Sequence, residues 1–196
     1  MNELAEQPAP TFFGFMPRRV AKRPNWLSCK DVEEICSVST CVSEAPEGWI
    51  DHWLHNGAGF FNSEVVAWQV VPEQQKNEFE LFAYRLWPML FDDGRMKQFD
   101  PQADFAELPG ELPQREPSLE GYSMIGFDLA NRSVSPFVEC SPLSCNAMCA
   151  EYKVNRWCLL DSVEDAMQAG QDFSNINAGV EPGTYYLFEV LRALGD

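Results

Sequence analysis

Residues 184–191 read T-Y-Y-L-F-E-V-L, and this stretch decides the fold class. Apolar side chains occupy both its odd and its even positions, which is typical of a strand buried on both faces. We therefore predict the central strand of a sheet here. The preceding residues predict a helix that begins after Ser162, because Asp165 stands three residues later in the position of a capping box.

Other segments rich in β-branched and aromatic residues predict the remaining strands. They are 63–71, 78–87, 96–99, the stretch from Ile125 to Leu129, 136–140 and 154–160. Short helices are predicted at 28–37 and 46–57, and the last strand–helix–strand unit is compatible with a parallel crossover. These patterns predict an α+β fold, a mainly antiparallel or mixed sheet of about six to seven strands with about three or four short helices packed on it. No internal repeat is evident in the sequence.

The 196 residues are enough for one globular domain spanning 1–196. Residues 1–26 are predicted to form an extended N-terminal arm, because four prolines exclude a long helix. Within this arm Phe12, Phe13 and Phe15 favour an edge strand or a segment that wraps the core. Residues 100–120 are predicted to be a long acidic loop, since they hold six acidic residues, four prolines and one arginine.

Membrane and export signals are not evident in the sequence. No apolar run approaches the ~20 residues of a membrane-spanning helix. The N-terminal residues are acidic and lack the apolar centre of a secretory signal. The sequence therefore predicts a cytoplasmic protein, in which the seven cysteines are expected to be free thiols.

The formal net charge of −16 is the main functional indication in the composition. It disfavours direct nucleic-acid binding, because an acidic surface repels phosphate groups. We therefore predict a non-catalytic protein of the inhibitor, immunity or adaptor type, which binds a protein partner with a basic surface and needs no cofactor. The residues predicted to take part are Asp104, Glu107, Glu111 and Glu116 of the acidic loop and Arg18 and Arg19 of the arm.

The stretch 138–152, V-E-C-S-P-L-S-C-N-A-M-C-A-E-Y, holds three of the seven cysteines. Ser144 is predicted to cap a short helix that begins at Cys145. Cys145 and Cys149 would then lie one turn apart on one face, with Cys140 at the end of the preceding strand. The simplest interpretation is that these cysteines pack at a strand–turn–helix junction.

Two alternative functions use this stretch. A cysteine-dependent hydrolase or thiol redox protein would be centred on Cys145, since a helix N-terminus lowers the pKa of a thiol, with His52 or His55 as the base. A metal-binding protein would use Cys140, Cys145 and Cys149, although the spacing C-x4-C-x3-C is not usual for zinc or iron–sulfur centres. Its fourth ligand would be a histidine or one of Cys36, Cys41 and Cys158.

Overall fold

The computed structural model describes residues 9–51, 54–105, 112–132, 138, 140–175 and 178–195. The larger of its two sheets consists of β1 (Thr11–Arg18), β4 (Glu80–Asp92), β5 (Arg95–Gln98), β6 (Tyr122–Arg132) and β7 (Thr184–Ala193). The smaller sheet pairs β2 (Ala21–Lys22) with β3 (Glu34–Ile35). The α-helices are α1 (Glu64–Gln69), α2 (Pro101–Asp104), α3 (Pro142–Cys145) and α4 (Val163–Phe173). Single turns of 3₁₀-helix lie at Trp49–Asp51 and Met148–Ala150, and a longer one at Glu73–Glu78. The predicted α+β fold is confirmed.

The large sheet has the strand order β1–β4–β7–β6, and β5 pairs with the end of β4. The prediction that 184–191 forms a central strand is confirmed, because β7 lies between β4 and β6. The last strand–helix–strand unit is not the parallel crossover that its pattern allowed, and β7 pairs antiparallel with both β4 and β6. The reason is that 154–160, predicted as a strand, forms a tight loop whose ends meet in one bridge between Val154 and Leu160.

Apolar side chains pack against both faces of the sheet. Alternate residues of β7 enter different core clusters, with Phe188 and Val190 in one and Tyr185 and Leu187 in the other. Ala67 brings α1 to the first cluster. The second cluster contains the buried side of α4, which is made of Ala166, Ala169 and Phe173.

Several local predictions are confirmed and others are wrong. Segments 78–87, 96–99 and 125–129 lie in β4, β5 and β6, and the helix capped by Ser162 is α4. Segment 63–71 was predicted as a strand but contains α1, where Ala67 is buried and Val65 is 70% exposed. Segment 28–37 was predicted as a helix, but its backbone is extended at β3. The amides of Glu34 and Cys36 there bond the carbonyls of residues 156 and 157.

Two further predicted segments, 46–57 and 136–140, lie only partly within the described residues. Of the described residues in the predicted helix 46–57, only Trp49–Asp51 form a helical turn. Most of the predicted strand 136–140 lies outside the described residues. Phe12, Phe13 and Phe15, predicted to form an edge strand or to wrap the core, belong to the edge strand β1.

The outer edge of β1 is covered by the loop 55–61. A bulge in β1 falls between Phe12 and Gly14, and the side-chain amide of Asn56 donates to the carbonyl of Phe13 at 2.7 Å. Beyond the bulge, Phe15 and Phe61 exchange two backbone hydrogen bonds of 2.7 and 2.9 Å. This pairing protects an edge that would otherwise be open to another strand.

The outer edge of β6 is covered in the same way by the loop 154–160. The bulge falls between Met124 and Gly126, and Asn155 donates to the carbonyl of Ile125 at 2.8 Å. Phe127 and Leu160 then exchange two backbone hydrogen bonds of 2.9 Å each.

The chain therefore folds as two similar units. In each unit a bulged edge strand leads to an asparagine loop, then to a helix with a serine at its N-cap, then to a central strand. This similarity is one of structure, since no repeat is evident in the sequence. Few equivalent positions in the two units hold the same residue. They are chiefly the bulge glycine, the loop asparagine and the serine at the helix N-cap.

Candidate functional site: a cluster of three thiols

Three thiols that are distant in the sequence meet beside the end of β6. Cys41 and Cys140 bring their sulfur atoms to 3.4 Å, and with Cys145 all three sulfurs lie within 4.8 Å of one another. Cys41 is exposed, whereas Cys140 and Cys145 are half-buried. The cluster is therefore reachable from solvent through Cys41.

Cys41 is positioned by the loop 37–43, which has the sequence S-V-S-T-C-V-S. Its serine side chains bond the loop's own backbone. The Ser43 hydroxyl accepts from the amide of Ser37 at 3.0 Å and donates to the carbonyl of Ile35 at 2.8 Å. The Ser39 hydroxyl accepts from the amide of Cys41 at 3.2 Å. Such serine–backbone bonds fix turns that lack regular secondary structure.

Asp128 of β6 joins this loop to the segment that carries the other two cysteines. Its carboxylate is fully buried and accepts from the hydroxyl of Ser37 at 2.8 Å, the amide of Val38 at 2.8 Å and the hydroxyl of Ser141 at 2.6 Å. Burial raises the pKa of Asp128, and the hydrogen bonds oppose this shift. Asp128 thus fixes the loop 37–43 and the segment that carries Cys140 and Cys145 relative to each other.

Arg18 supports the same loop from its other side. Its guanidinium donates to the carbonyls of Val38 and Ser43 and to the hydroxyl of Tyr84. The side chain is only 2% exposed. The structure therefore corrects the prediction that Arg18 lies on an interaction surface, because its charge is committed to the interior.

Cys140 and Cys145 are placed by β6 and α3. The amide of Cys140 donates to the side chain of Asn131, and its carbonyl accepts from the Asn131 amide, both at 2.9 Å. Ser141 is the N-cap of α3 and Cys145 is its last residue. The predicted helix beginning at Cys145 is thus wrong: the helix starts at Pro142, and the positive end of its dipole is not beside the Cys145 thiol.

Cys149 forms a disulfide with Cys29, 120 residues away in the sequence. The expectation of free thiols is wrong for these two residues. Cys149, predicted as a metal ligand, is not available as one while the disulfide is intact. Cys36 and Cys158 are free and buried, and burial raises the pKa of each thiol to about 12.

Hydrogen bonds within the cluster shift the pKa values of the three thiols in different directions. The bond from Cys145 is the main cause that lowers the pKa of Cys41 to about 5, and burial opposes it. Burial, together with the bond to Cys41, raises the pKa of Cys140 to about 12. The bond to Cys41 is likewise the main cause of a raised pKa at Cys145, which burial increases further. Cys41 is therefore the most acidic of the three thiols.

Of the two histidines predicted as catalytic bases, the structure describes only His55. The ring of His55 contacts its own loop: Nε2 bonds the carbonyl of Ile50 at 3.1 Å and Nδ1 accepts from the amide of Gly57 at 3.0 Å. His52 lies outside the described residues. The Cys145 sulfur contacts the hydroxyls of Ser39 at 3.6 Å and Ser144 at 3.9 Å and lies within 4.8 Å of the other two sulfurs.

The acidic residues predicted to bind a partner are only partly described. Glu116 pairs with Arg85, and Arg19 pairs with Glu44 and Glu78 at 2.7 Å each. Asp104 ends α2, whereas Glu107 and Glu111 lie outside the described residues. Glu116 and Arg19 therefore already have partners within the protein.

Comparisons with known proteins supply no further assignment. Neither protein-family models, nor curated proteins, nor solved structures provide a match to this chain. Within the described residues, every helix is too short or too polar to cross a membrane.

Sequence reasoning found two of the three clustered residues, Cys140 and Cys145, and included Cys41 only as an optional fourth ligand. Cys41 lies 99 residues from Cys140 in the sequence, so no local spacing indicates their contact. The available signal was the alternation of serines around Cys41, which is typical of an ordered loop.

Proposed function

We propose that the protein is a thiol–disulfide exchange protein in which Cys41 is the attacking thiolate and Cys140 the second thiol. The observation that supports this is the 3.4 Å separation of their sulfur atoms, one of which is exposed. A disulfide requires an approach to about 2.05 Å, which is a shift of about 1.4 Å. In this proposal Cys41, and not Cys145 as the sequence predicts, is the reactive thiol.

In the first step the Cys41 thiolate attacks one sulfur of a substrate disulfide. The substrate S–S bond breaks, its distal sulfur leaves as a thiolate and takes up a proton, and a mixed disulfide with Cys41 remains. Cys140 then loses its proton to solvent and attacks the Cys41 sulfur, releasing the second half of the substrate as a thiol. The substrate has gained two electrons, and Cys41 and Cys140 have become a disulfide.

Cys145 is a positioning residue in this scheme. Its thiol donates to the Cys41 sulfur and keeps the negative charge there, on the exposed member of the cluster. The Ser39 hydroxyl, 3.6 Å from the Cys145 sulfur, lies in the same set of contacts. A thiolate at neutral pH reacts with disulfides without the need for an adjacent base.

Incubation of the full chain with oxidised glutathione tests the proposal, with peptide mapping by mass spectrometry as the readout. We expect a Cys41–Cys140 disulfide after passage through a mixed disulfide at Cys41. In a Cys140→Ala variant the mixed disulfide at Cys41 should accumulate. Reaction of the buried Cys36 or Cys158 in preference to Cys41 would contradict the proposal.

A second candidate is binding of a protein with a basic surface, and the outer face of α4 supports it. Glu164, Asp165 and Asp172 are exposed on this helix, and Asp161 is exposed just before it. Among the residues that the structure describes, no ion pair with lysine or arginine neutralises these carboxylates. Such unscreened charge attracts basic partners most strongly at low ionic strength.

Affinity capture at low salt tests this second candidate. A stoichiometric partner retained by the wild-type chain should be lost with Glu164→Lys. Glu120→Lys, an exposed substitution far from α4 in the sequence, serves as the control and should retain it. Equal retention by both variants would exclude α4 as the contact.

A further inference from the structure

We propose that Cys41, Cys140 and Cys145 form a binding site for a thiophilic d10 metal ion, Zn²⁺ or Cu⁺, with Glu181 as the neighbouring counter-charge. The site uses the same thiols as the exchange function but does not depend on that function. It replaces the predicted set of Cys140, Cys145 and Cys149.

The separations of the three sulfurs suit such an ion. Two sulfurs bound to one zinc at about 2.3 Å are ~3.8 Å apart in tetrahedral geometry and ~4.0 Å apart in trigonal geometry. The Cys41 and Cys140 sulfurs are 3.4 Å apart, and no pair in the cluster exceeds 4.8 Å. Adjustments of at most about 1 Å in any sulfur–sulfur distance therefore bring all three to one centre.

The elements that carry the sulfurs are already fixed without an ion. Asp128 bonds Ser37 and Ser141, which belong to opposite sides of the cluster. Asn131 holds Cys140 through two hydrogen bonds. A site whose ligands are held in place by the fold does not need to be ordered by the metal, so little ordering free energy opposes binding.

Two buried polar atoms beside the cluster indicate that a cation belongs there. The Oε2 atom of Glu181 and the Oδ1 atom of Asn146 are buried without a hydrogen-bond partner among the described residues. Asn146 follows Cys145 directly, and the charge of Glu181 acts on both Cys41 and Cys140. A buried carboxylate oxygen without a partner is costly beside thiolates, and a bound cation removes this cost.

The class of ion follows from the ligand atoms. Three cysteine sulfurs favour soft or borderline ions over Mg²⁺ or Ca²⁺, which prefer oxygen. Cu⁺ is satisfied by three sulfurs, whereas Zn²⁺ takes a fourth ligand. Exposure of Cys41 leaves room for that ligand to come from solvent. Binding to the reduced cluster releases the protons of Cys140 and Cys145.

Metal titration of the full chain tests the site, with Cys41, Cys140 and Cys145 shown by mass spectrometry to be reduced. Zn²⁺ and Cu⁺ are titrated separately against chelators of known affinity. We expect one ion per chain, and loss of this binding in Cys145→Ala. The matched control is Cys36→Ala, which removes a free buried thiol that is not a member of the cluster and should bind normally.

The Cys145→Ala variant also separates this proposal from the exchange function. It keeps Cys41 and Cys140, so the Cys41–Cys140 disulfide should still form with oxidised glutathione, more slowly at neutral pH because the variant lacks the hydrogen bond that lowers the pKa of Cys41, while metal binding is lost at every pH. If the chain binds metal but forms no such disulfide, the exchange function fails and the metal site stands.

Glu181→Gln gives a second, signed readout. Removal of this negative charge should weaken metal binding about tenfold. A variant that merely disturbs the fold would separate the three sulfurs and abolish binding rather than weaken it. The proposal is overturned if neither Zn²⁺ nor Cu⁺ reaches one ion per chain, or if Cys36→Ala loses binding as fully as Cys145→Ala.

Discussion

Asn56 and Asn155 make equivalent hydrogen bonds at opposite edges of the large sheet. Each donates its side-chain amide to a carbonyl at a β-bulge, at 2.7 Å for Asn56 and 2.8 Å for Asn155. Each also accepts two amides of its own loop at its side-chain oxygen. The two edges of the protein are therefore closed by the same local device.

Replacement of either asparagine by alanine should destabilise the protein. Asn56→Ala leaves a buried carbonyl and two loop amides without their partner, and we expect a loss of about 1–3 kcal/mol in the free energy of unfolding. Asn155→Ala should cost a similar amount. Urea unfolding followed by tryptophan fluorescence measures both, with the exposed Asn77→Ala as a control that should change little. A neutral result for both loop asparagines would show that the loops are held by other contacts.

The two bulge glycines should tolerate no side chain. A Cβ atom at Gly14 would lie 2.6 Å from the Cβ of Phe60, and one at Gly126 would lie 2.7 Å from the Cβ of Leu159. Both glycines also have φ close to +150°, which other residues rarely adopt. We expect Gly14→Ala and Gly126→Ala each to cost about 2–5 kcal/mol, as the sum of overpacking and backbone strain.

Thermal unfolding of the two variants measures this cost. Gly195→Ala is the control, since a Cβ there meets no atom within 4 Å. Wild-type stability of either bulge variant would contradict the close packing of these loops on the sheet.

The sequence was sufficient for those elements whose residues all indicate one state. β7 has apolar residues on both faces, and α4 combines an N-capping serine with a one-sided apolar pattern. α1 was missed because V-V-A-W-Q-V-V favours a strand by local propensity, whereas the observed helix packs Ala67 against the core. Tertiary contacts determine the secondary structure of that segment, and its local sequence pattern does not predict them.

The site was less predictable than the fold. Cys140 and Cys145 were identified because they are close in sequence. Cys41, whose sulfur completes the cluster, comes from the other half of the chain. The Cys29–Cys149 pair joins the same two halves and was missed for the same reason. Similarly, Arg18 reads as a surface charge in isolation, and only the fold shows three acceptors around its guanidinium.

Asp128 should govern both stability and the geometry of the cluster. In Asp128→Asn one acceptor oxygen becomes a donor that faces the amide of Leu129, so we expect a loss of about 1–3 kcal/mol. Burial raises the pKa of Asp128 in the folded state above its unfolded value. The wild type therefore loses stability relative to the variant as pH rises from about 4 through the raised pKa.

Urea unfolding of the wild type and Asp128→Asn at several pH values between about 4 and 7.5 measures this difference. The stability advantage of the wild type should shrink as pH increases. The exposed Asp31→Asn serves as the control and should show no such trend. An advantage that grows with pH would mean that Asp128 is stabilised in its charged form.

The reactivity of Cys41 should depend on Cys145. The pKa of Cys41 is lowered to about 5, and the hydrogen bond from Cys145 is the largest cause. In the wild type, the alkylation rate of Cys41 should rise with pH around 5 and reach a plateau by pH 7. Cys145 should react only at high pH. In Cys145→Ala the midpoint for Cys41 should move upward towards 9, the ordinary value for a thiol. Alkylation followed residue by residue by mass spectrometry measures both midpoints, and Cys36→Ala should leave them unchanged. An unshifted midpoint in Cys145→Ala would show that the thiolate at Cys41 is stabilised from elsewhere, and Cys145 would then have no positioning role.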